Sequence, residues 1–397
     1  MMLKKEFELV FSPKKIGSVS IPNRLVRSAT YECRAMPSGE VTDSLIRFYE
    51  ELGQGGSGLV ITGMTYVRED GRPTPKMVAN DSDDKIYGLS RITGAFHDAT
   101  KELGYNSKIF LQIGHCGREA GPHGWDGPLI SSSAIEDKVI KRIPKELTIT
   151  EINNISRLFA EATLRAKKAG FDGVQYHGAH GYLITQFYSP YMNKRNDKFG
   201  GSTENRAKFS LQIIKNSRAL VGNSYPICMK MNGSDRISSG LQVNEASKLA
   251  KIFEKAGYDS LEISSYIWEA GMLENVISLP PEARRNVRKR NIEAYNLDLA
   301  IQIKNELKIP VMVVGGIYRF ENVSNILLTT NIDFCAFSRP LIAQPNLPRI
   351  WMDWKKGSPY PEAECIHCNL CTRDFLIKGN NCPGIRCIKK ERSEQKK

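Results

Sequence analysis

Hydrophobic residues along the chain form two alternating kinds of segment. Short runs of apolar and β-branched residues are typical of buried strands, and they lie at 24–30, 58–63, 108–113, 173–177, 227–232, 260–264, 311–316 and 333–338. Between them, apolar residues recur at spacings of three and four, which predicts helices near 43–54, 83–103, 150–169, 203–221, 244–256, 291–307, 320–330 and 344–354. Eight strands that alternate with eight helices predict a (β/α)8 barrel rather than an open sheet.

Polar residues and glycines mark the ends of several predicted helices. Thr150, Ser202 and Asn244 are the predicted helix starts. Glycines follow predicted helix ends, where left-handed backbone favours them, at Gly104, Gly170 and Gly257. No predicted strand leads into G-x-G-x-x-G, so a second dinucleotide-binding domain is not expected. The predicted division is a barrel over 1–355 and a cysteine-rich segment over 356–397.

Two connections are longer than a minimal barrel needs. They run over 114–148 and 178–202. Loops of this length in a compact domain are usually lids or binding surfaces. We therefore expect both loops beside the functional site.

Net charge changes this picture little. The chain has 397 residues and a formal net charge of +13, because 56 Lys and Arg outnumber 43 Asp and Glu. Its basic residues are scattered, with local concentrations only at 280–291 and 387–397, so we expect a solvated basic surface and no nucleic-acid site. No apolar run approaches the ~20 residues of a membrane span, and the start lacks a secretory signal pattern. A cytoplasmic protein is expected.

Two of the six histidines stand three residues apart in "HGAHGY", which begins where the fourth predicted strand ends. Barrel enzymes carry their catalytic groups at C-terminal strand ends, so His177, His180 and Tyr182 are expected at the barrel mouth. Two neutral imidazoles could hold a carbonyl oxygen while the phenol delivers a proton. Ordinary loop packing is one alternative. A metal site on the histidines is another, although the motif has no acidic residue as third ligand.

Other strand ends carry groups that suit one cofactor. Lys230 lies on an otherwise apolar strand and could stabilise an anionic ring, and Gln112 offers a paired donor and acceptor to an imide-like edge. The ends of strands seven and eight are the usual phosphate site of this barrel, and here they carry Gly315, Gly316, Ser338 and Arg339. A phosphate, a planar ring with an imide edge and a stabilised anion describe flavin mononucleotide (FMN).

Five stretches then follow one another in barrel order: "PNRLVRSAT", "LQIGHCGR", "HGAHGYL" with "FYSPYMNKRNDKFGGSTENR", "MKMNGSD", and "IPVMVVGGI" with "FSRPLIAQPNLP". In this combination the chain resembles the old yellow enzyme family of flavin oxidoreductases over nearly the whole of 5–355. The likeness is strongest to the branch with 2,4-dienoyl-CoA reductase and trimethylamine dehydrogenase, because a cysteine-rich segment follows the barrel. Ser338 departs from the glycine that commonly precedes the family's arginine, and Tyr31 occupies a position that tunes the flavin in this family.

The resemblance implies a role for each matching residue in a site for FMN, with NADH or NADPH as hydride donor. Gln112 and Lys230 would face the flavin ring, and Gly316 and Arg339 would hold its phosphate. The residues that would line the flavin are Ala29, Thr30 and Gly63.

The resemblance also implies a reaction, reduction of a small α,β-unsaturated carbonyl compound. His177 and His180 would bind the carbonyl oxygen, and Tyr182 would give a proton to the α-carbon. A flavin-dependent C–N dehydrogenase of the trimethylamine dehydrogenase type is an alternative, and a metal-stabilised nucleic-acid-binding module is another. A homo-oligomer is the expected assembly.

The segment 364–387, "ECIHCNLCTRDFLIKGNNCPGIRC", holds five of the nine cysteines. Cys365, Cys368 and Cys371 are spaced C-x2-C-x2-C, and Cys382 follows after ten residues, a pattern that could ligate a [4Fe–4S] cluster. Structural zinc and free thiols are the alternatives. The resembling two-flavin reductases carry a cluster here and continue into an FAD and nicotinamide domain. This sequence ends at 397, so an external electron-donor protein is the expected partner of a cluster.

Overall fold

The predicted (β/α)8 barrel is confirmed. The computed structural model describes residues 2–121, 124–273, 285–355, 359–372 and 381–394. Eight parallel strands pair in chain order, and the last pairs with the first to close the barrel. They are β1 Leu25–Arg27, β2 Leu59–Tyr66, β3 Lys108–Gly114, β4 Gly173–Gly178, β5 Ile227–Asn232, β6 Ser260–Ser264, β7 Val311–Val314 and β8 Phe334–Phe337.

The helices that follow these strands lie close to the predicted positions. The longer ones are Asp43–Gly53, Lys85–Glu102, Ile149–Lys168, Thr203–Val221, Val243–Ala256, Leu297–Lys304 and Phe320–Thr329; the helix Met2–Val10, which was not predicted, precedes the first strand. Shorter ones are Leu183–Tyr188, Trp268–Leu273, Val287–Arg290, Arg339–Ala343, Leu347–Asp353 and Ile388–Glu394. The apolar periodicity thus located the helices that cover the barrel and the short helix Leu347–Asp353, whereas the other short helices had too few turns to give a periodic signal.

Two of the three predicted helix starts are wrong. Ser202 caps its helix as predicted, since its hydroxyl accepts a hydrogen bond from the backbone N–H of Asn205. The helix Ile149–Lys168 is capped by Thr148 and not by Thr150, because Thr148 and Glu151 bond reciprocally in a capping box. The helix assigned to Asn244 begins at Val243. The glycine caps are confirmed, with φ of 70° at Gly104, 86° at Gly170 and 98° at Gly257.

One predicted helix is shorter than expected at its start. Residues 291–296 precede the helix Leu297–Lys304 and are not helical. Asn291 and Ala294 have φ of 50° and 53°, in the left-handed region that a right-handed helix does not contain. This turn brings Tyr295 to the barrel mouth, where its N–H donates to the carbonyl oxygen of Gly315 at 3.2 Å.

The two ends of the barrel are closed by different material. An antiparallel hairpin of Lys14–Ile16 and Val19–Ile21 lies at one end, and its fully buried Ile16 and Ile21 join the apolar cluster inside the barrel. At the other end lie the two long loops. The first includes the paired segments Ile130–Ser131 and Lys145–Glu146. The second includes the helix Leu183–Tyr188. The mouth where the strands end is therefore the part covered by loops.

The described part of the cysteine-rich segment packs on the barrel. The N–H of Ala363 donates to the carbonyl of Tyr318 at 3.1 Å, and the N–H of Ile385 donates to the carbonyl of Glu32 at 2.8 Å. The side chains of Ala363 and Ile385 are buried. Within the described ranges, no helix has the length and apolarity needed to cross a bilayer.

Candidate active site

Strand register brings the predicted polar residues to one level of the barrel mouth. Lys230 on β5 lies opposite His177 on β4 and Glu262 on β6. Gln112 on β3 lies opposite Gln175 on β4. Since neighbouring parallel strands present paired residues side by side, these groups form one continuous polar surface.

A buried hydrogen-bond network joins these groups. The ammonium of Lys230 donates to Ser28 Oγ at 2.8 Å and lies 3.2 Å from Glu262 Oε1. Glu262 Oε2 accepts from Gln175 Nε2 at 2.8 Å, and Gln175 Oε1 accepts from Gln112 Nε2 at 2.7 Å. Glu262 is fully buried and Lys230 is 4% exposed, so the pair compensates two buried charges.

Three members of this network were not among the residues predicted from the sequence: Ser28, Gln175 and Glu262. A signal for two of them was present. Gln175 in "GVQYH" and Glu262 in "SLEIS" are polar residues inside otherwise apolar strands. Buried charges are normally paired, so a glutamate inside an apolar strand indicates a nearby cation.

His177, His180 and Tyr182 lie together at the end of β4. The ring centroids of His177 and His180 are 5.1 Å apart, and those of His177 and Tyr182 are 4.7 Å apart. His180 has φ of 64°, and this left-handed turn folds the motif back over the mouth. Its Nε2 lies 2.7 Å from Ser264 Oγ at the end of β6. The predicted grouping of the three rings is present, and their catalytic roles remain predictions.

Both imidazoles are neutral near pH 7. Burial lowers the pKa of His177 well below its usual value, and the neighbouring His180 and Lys230 lower it further. Burial and Lys230 likewise lower the pKa of His180. His177 Nδ1 accepts a hydrogen bond from the N–H of Ala179 at 3.3 Å. In a neutral ring the other nitrogen then carries the hydrogen, so Nε2 of His177 is a donor.

A cavity of about 100 Å³ lies beside this network. Of the predicted site residues, it is lined by Ala29, His180, Lys230, Gly315, Gly316, Ser338 and Arg339. The residues that line it do not include Thr30, Gly63, Gln112, His177 and Tyr182. Thr30 Oγ1 is 2.9 Å from Ser338 Oγ, so Ser338 bonds to the β1 loop at the position where the family commonly has glycine. Gly63 lies where the register of β2 and β3 shifts, and its N–H donates to the carboxylate of Glu32 at 2.7 Å.

Backbone shape at the end of β7 explains its two glycines. Gly315 and Gly316 have φ of 135° and 77°, conformations that residues with a Cβ rarely adopt. An added Cβ would lie 2.7 Å from the ring of Tyr295 at Gly315 and 3.0 Å from it at Gly316. The two glycines therefore allow the chain to turn closely around Tyr295 at the cavity wall.

The donors around the cavity fit FMN. Lys230 suits an anionic ring, and Arg339 with the Gly316 turn suits a phosphate. The side chain of His367, from the cysteine-rich segment, also lines the cavity. It is 1% exposed, and neither ring nitrogen has a hydrogen-bond partner in the described part of the protein. His367 was missed because only its neighbours, the cysteines, carried a recognisable pattern.

A second cavity, of about 240 Å³, lies beneath the cysteine-rich segment. Cys365, Cys368, Cys371 and Cys387 line it. The predicted fourth ligand, Cys382, does not. Cys382 is instead fully buried and hydrogen bonded to Cys33, in the loop after β1. The structure thus brings together three of the predicted cysteines and adds Cys387.

Two of the thiols around this second cavity are protonated in the absence of a metal. Burial raises the pKa of Cys365 to about 11 and also raises the pKa of Cys371. Among the described residues, no three His, Cys, Asp or Glu side chains form a compact metal-binding group. A metal centre on these cysteines therefore stays a prediction.

Comparison with known proteins identifies the family. Residues 9–352 match the NADH:flavin oxidoreductase / NADH oxidase family, and the chain belongs to it. A NADH oxidase from Thermoanaerobacter brockii is 35% identical over 366 residues, which are 92% of this chain and 53% of that protein. A NADPH dehydrogenase from Clostridium acetobutylicum is 32% identical over 363 residues, 89% of this chain and 99% of that protein.

A solved structure agrees over nearly the whole chain. The complex of 2-naphthoyl-CoA reductase with 2-naphthoyl-CoA superposes with a TM-score of 0.83 at 25% identity, covering 95% of this chain and 56% of that one. The chain thus spans about half the length of this reductase and of the NADH oxidase. The resemblance to the old yellow enzyme family is confirmed, and family membership supports FMN and NAD(P)H as the cofactors.

Proposed function

We propose that this protein is an FMN-dependent ene-reductase that uses NADH or NADPH to reduce an α,β-unsaturated carbonyl compound. The observation that carries the proposal is the pair of neutral imidazoles at the mouth, adjacent to a cavity whose donors fit FMN. When bound, FMN supplies two-electron chemistry, accepting hydride from a nicotinamide and giving it to an electron-poor carbon.

His177 and His180 hold the substrate by its carbonyl oxygen. His177 carries its hydrogen on Nε2, because Nδ1 accepts from the backbone of Ala179. Neutral imidazoles suit this task. They donate a hydrogen bond to the oxygen as negative charge develops on it, and they need not transfer a proton to it. Burial of His177, which is 7% exposed, strengthens such a hydrogen bond by keeping water away.

Tyr182 supplies the proton for the α-carbon. Its ring is tilted at 59° against the ring of His177, which places the phenol beside the carbonyl-binding group. Its hydroxyl is hydrogen bonded to Cys116 in the loop 114–148, a contact that holds the phenol in place. A phenol positioned in this way can act as a general acid.

We further propose that the cysteine-rich segment holds a [4Fe–4S] cluster that exchanges electrons with an external donor protein. The support is the cavity of about 240 Å³ whose wall carries four cysteines. Arg339 lines both this cavity and the FMN cavity, so the two proposed redox sites are adjacent. The division into a barrel over 1–355 and a cluster-binding segment over 356–397 is part of this proposal.

Anaerobic rapid mixing tests the proposed reaction. Protein reconstituted with FMN is mixed with NADH or NADPH, and then with 2-cyclohexenone or with dimethylamine. We expect the nicotinamide to bleach the flavin absorbance at about 450 nm and the enone to restore it, with saturated ketone as product. Bleaching by the amine, together with no recovery upon adding the enone, would instead support a C–N dehydrogenase.

A further inference from the structure

The cysteine-rich segment reaches into the FMN cavity through one side chain. His367, between Cys365 and Cys368, lines this cavity together with Gly316, Ser338 and Arg339. Gly316 follows the end of β7, and Ser338 and Arg339 follow the end of β8. His367 therefore lies with the residues that would hold the phosphate.

The backbone and the ring of His367 both contact neighbouring residues, but only its backbone is hydrogen bonded within the described part of the protein. The backbone carbonyl of His367 accepts from the N–H of Asn286 at 3.0 Å, and its N–H donates to Cys365 Sγ at 3.4 Å. Its ring packs against the ring of Tyr318, with centroids 5.4 Å apart at 62°. In the described residues, neither Nδ1 nor Nε2 has a hydrogen-bond partner, although the side chain is 1% exposed. Polar groups buried in this way are normally hydrogen bonded, so a bound group is expected there.

The charges around His367 indicate an anion. Arg339 and Arg288 both act electrostatically on the imidazole. Arg288 is held over the ring of Tyr318, 4.3 Å from its centroid. Arg288 is also ion paired with Glu362 at 2.8 Å, so Arg339 is the cation that lines the cavity together with the imidazole. A guanidinium and an imidazole N–H suit a phosphate, which accepts several hydrogen bonds and carries negative charge.

We propose that His367 donates a hydrogen bond to the phosphate of FMN, so that the cysteine-rich segment completes the flavin site. The proposal rests on FMN as the cofactor. It needs no particular protonation state, because a neutral and a protonated imidazole both carry at least one N–H. His367 thereby selects FMN over riboflavin, which has the same ring and no phosphate.

Binding of FMN and riboflavin to the full chain tests the proposal. The dissociation constant of each is measured by quenching of flavin fluorescence, for the protein as isolated and for variants at His367. His367→Gly suits the backbone, because φ at this position is 57° and glycine adopts it without strain. It should weaken FMN binding about tenfold or more and leave riboflavin binding unchanged, since a hydrogen bond to a charged group is lost.

Matched variants separate the hydrogen bond from packing. His367→Gln and His367→Asn each keep an N–H donor, and at least one should recover most of the FMN affinity. Tyr318→Phe keeps the ring that contacts His367 and should change neither affinity. Equal weakening of FMN and riboflavin by His367→Gly, or no weakening of either, would overturn the proposal. Failure of the unmodified protein to bind both flavins would overturn the FMN assignment itself.

Discussion

The barrel mouth and the cysteine-rich segment assemble functional groups in different ways. At the mouth, the groups lie on paired strands, so that register alone places Lys230 beside His177 and Glu262. In the segment, they lie on turns with left-handed residues, such as His367 with φ of 57° and Asn369 with φ of 61°. The spacing of residues in the sequence therefore predicts spatial neighbours in the first region and not in the second.

Cys382 and Cys387 illustrate the difference. Spacing after the C-x2-C-x2-C motif favours Cys382 as the fourth ligand. Packing on the barrel favours Cys387 instead, because Lys76 donates to the carbonyl of Cys382 at 2.7 Å and the thiol of Cys382 is hydrogen bonded to Cys33. Cys387 then lies at the cavity with the other three cysteines.

The largest expected effect is on iron content, and it tests this assignment. Cys387→Ser should remove most of the iron from anaerobically purified protein, while Cys382→Ser should retain about four irons per chain, as a [4Fe–4S] cluster requires. Iron and sulfide assays, with electron paramagnetic resonance of the dithionite-treated protein, provide the measurement. Cys365→Ser is the positive control for cluster loss.

The same assays can contradict the assignment in two ways. Loss of iron in Cys382→Ser with full retention in Cys387→Ser would show that spacing predicts the fourth ligand in this region after all. Zinc, or no metal, in the unmodified protein would remove the cluster and its electron-donor partner from the proposed function.

A smaller but still large effect is expected at the barrel mouth from Tyr182→Phe. The variant keeps the ring that packs against His177 and loses the hydroxyl that we propose as proton donor. Return of flavin absorbance with an enone should slow about 10²-fold or more, the usual range for losing a general acid. Bleaching by NAD(P)H should keep its rate, which serves as the internal control in stopped-flow traces. Equal slowing of both phases would make Tyr182 a packing residue.

The next effect concerns the buried network. Lys230→Met should weaken FMN binding about tenfold or more, because the ring loses a cation at its side. It should also lower the free energy of unfolding by about 3–5 kcal/mol, since Glu262 stays fully buried without its ion-pair partner. Flavin titration and denaturant unfolding measure the two losses.

A double variant separates these two losses. Lys230→Met combined with Glu262→Gln removes both charges, so most of the stability should return while FMN binding stays weak. If FMN binding returns together with stability, Lys230 acts on the fold and not on the cofactor. The buried hydrogen-bond network around Lys230 would then stabilise the fold and not bind the cofactor.

These two regions also show which parts were predictable from the sequence. The shared position of Gln112, His177 and Lys230 at the barrel mouth was predictable, because each lies at the end of a strand and a strand has a direction and a period of two. The sequence could not indicate that His367 reaches the same cavity, since that depends on how the segment packs on Tyr318 and Asn286. Nor could it place the cap at Thr148, because Thr150 carries a side chain of the same kind.

The smallest expected effect concerns how the segment is anchored. Lys76 lies in a loop of the barrel, and its ammonium donates a hydrogen bond to the carbonyl of Cys382. This bond connects the barrel to the backbone of residues 381–387. Lys76→Ala should cost about 0.5–1.5 kcal/mol, the usual net worth of one hydrogen bond. Hydrogen exchange followed by mass spectrometry should show faster exchange over 381–394 and unchanged exchange in β3 to β5.

A matched lysine serves as control for this variant. Lys194 also donates to a backbone carbonyl, that of Pro190 at 2.6 Å, but within the loop 178–202. Lys194→Ala should leave exchange over 381–394 unchanged. If Lys76→Ala accelerates exchange in the barrel strands as much as in the segment, the two regions unfold as one unit. The segment would then be part of the barrel's cooperative core, and its turns would be set by the same packing that sets the strands.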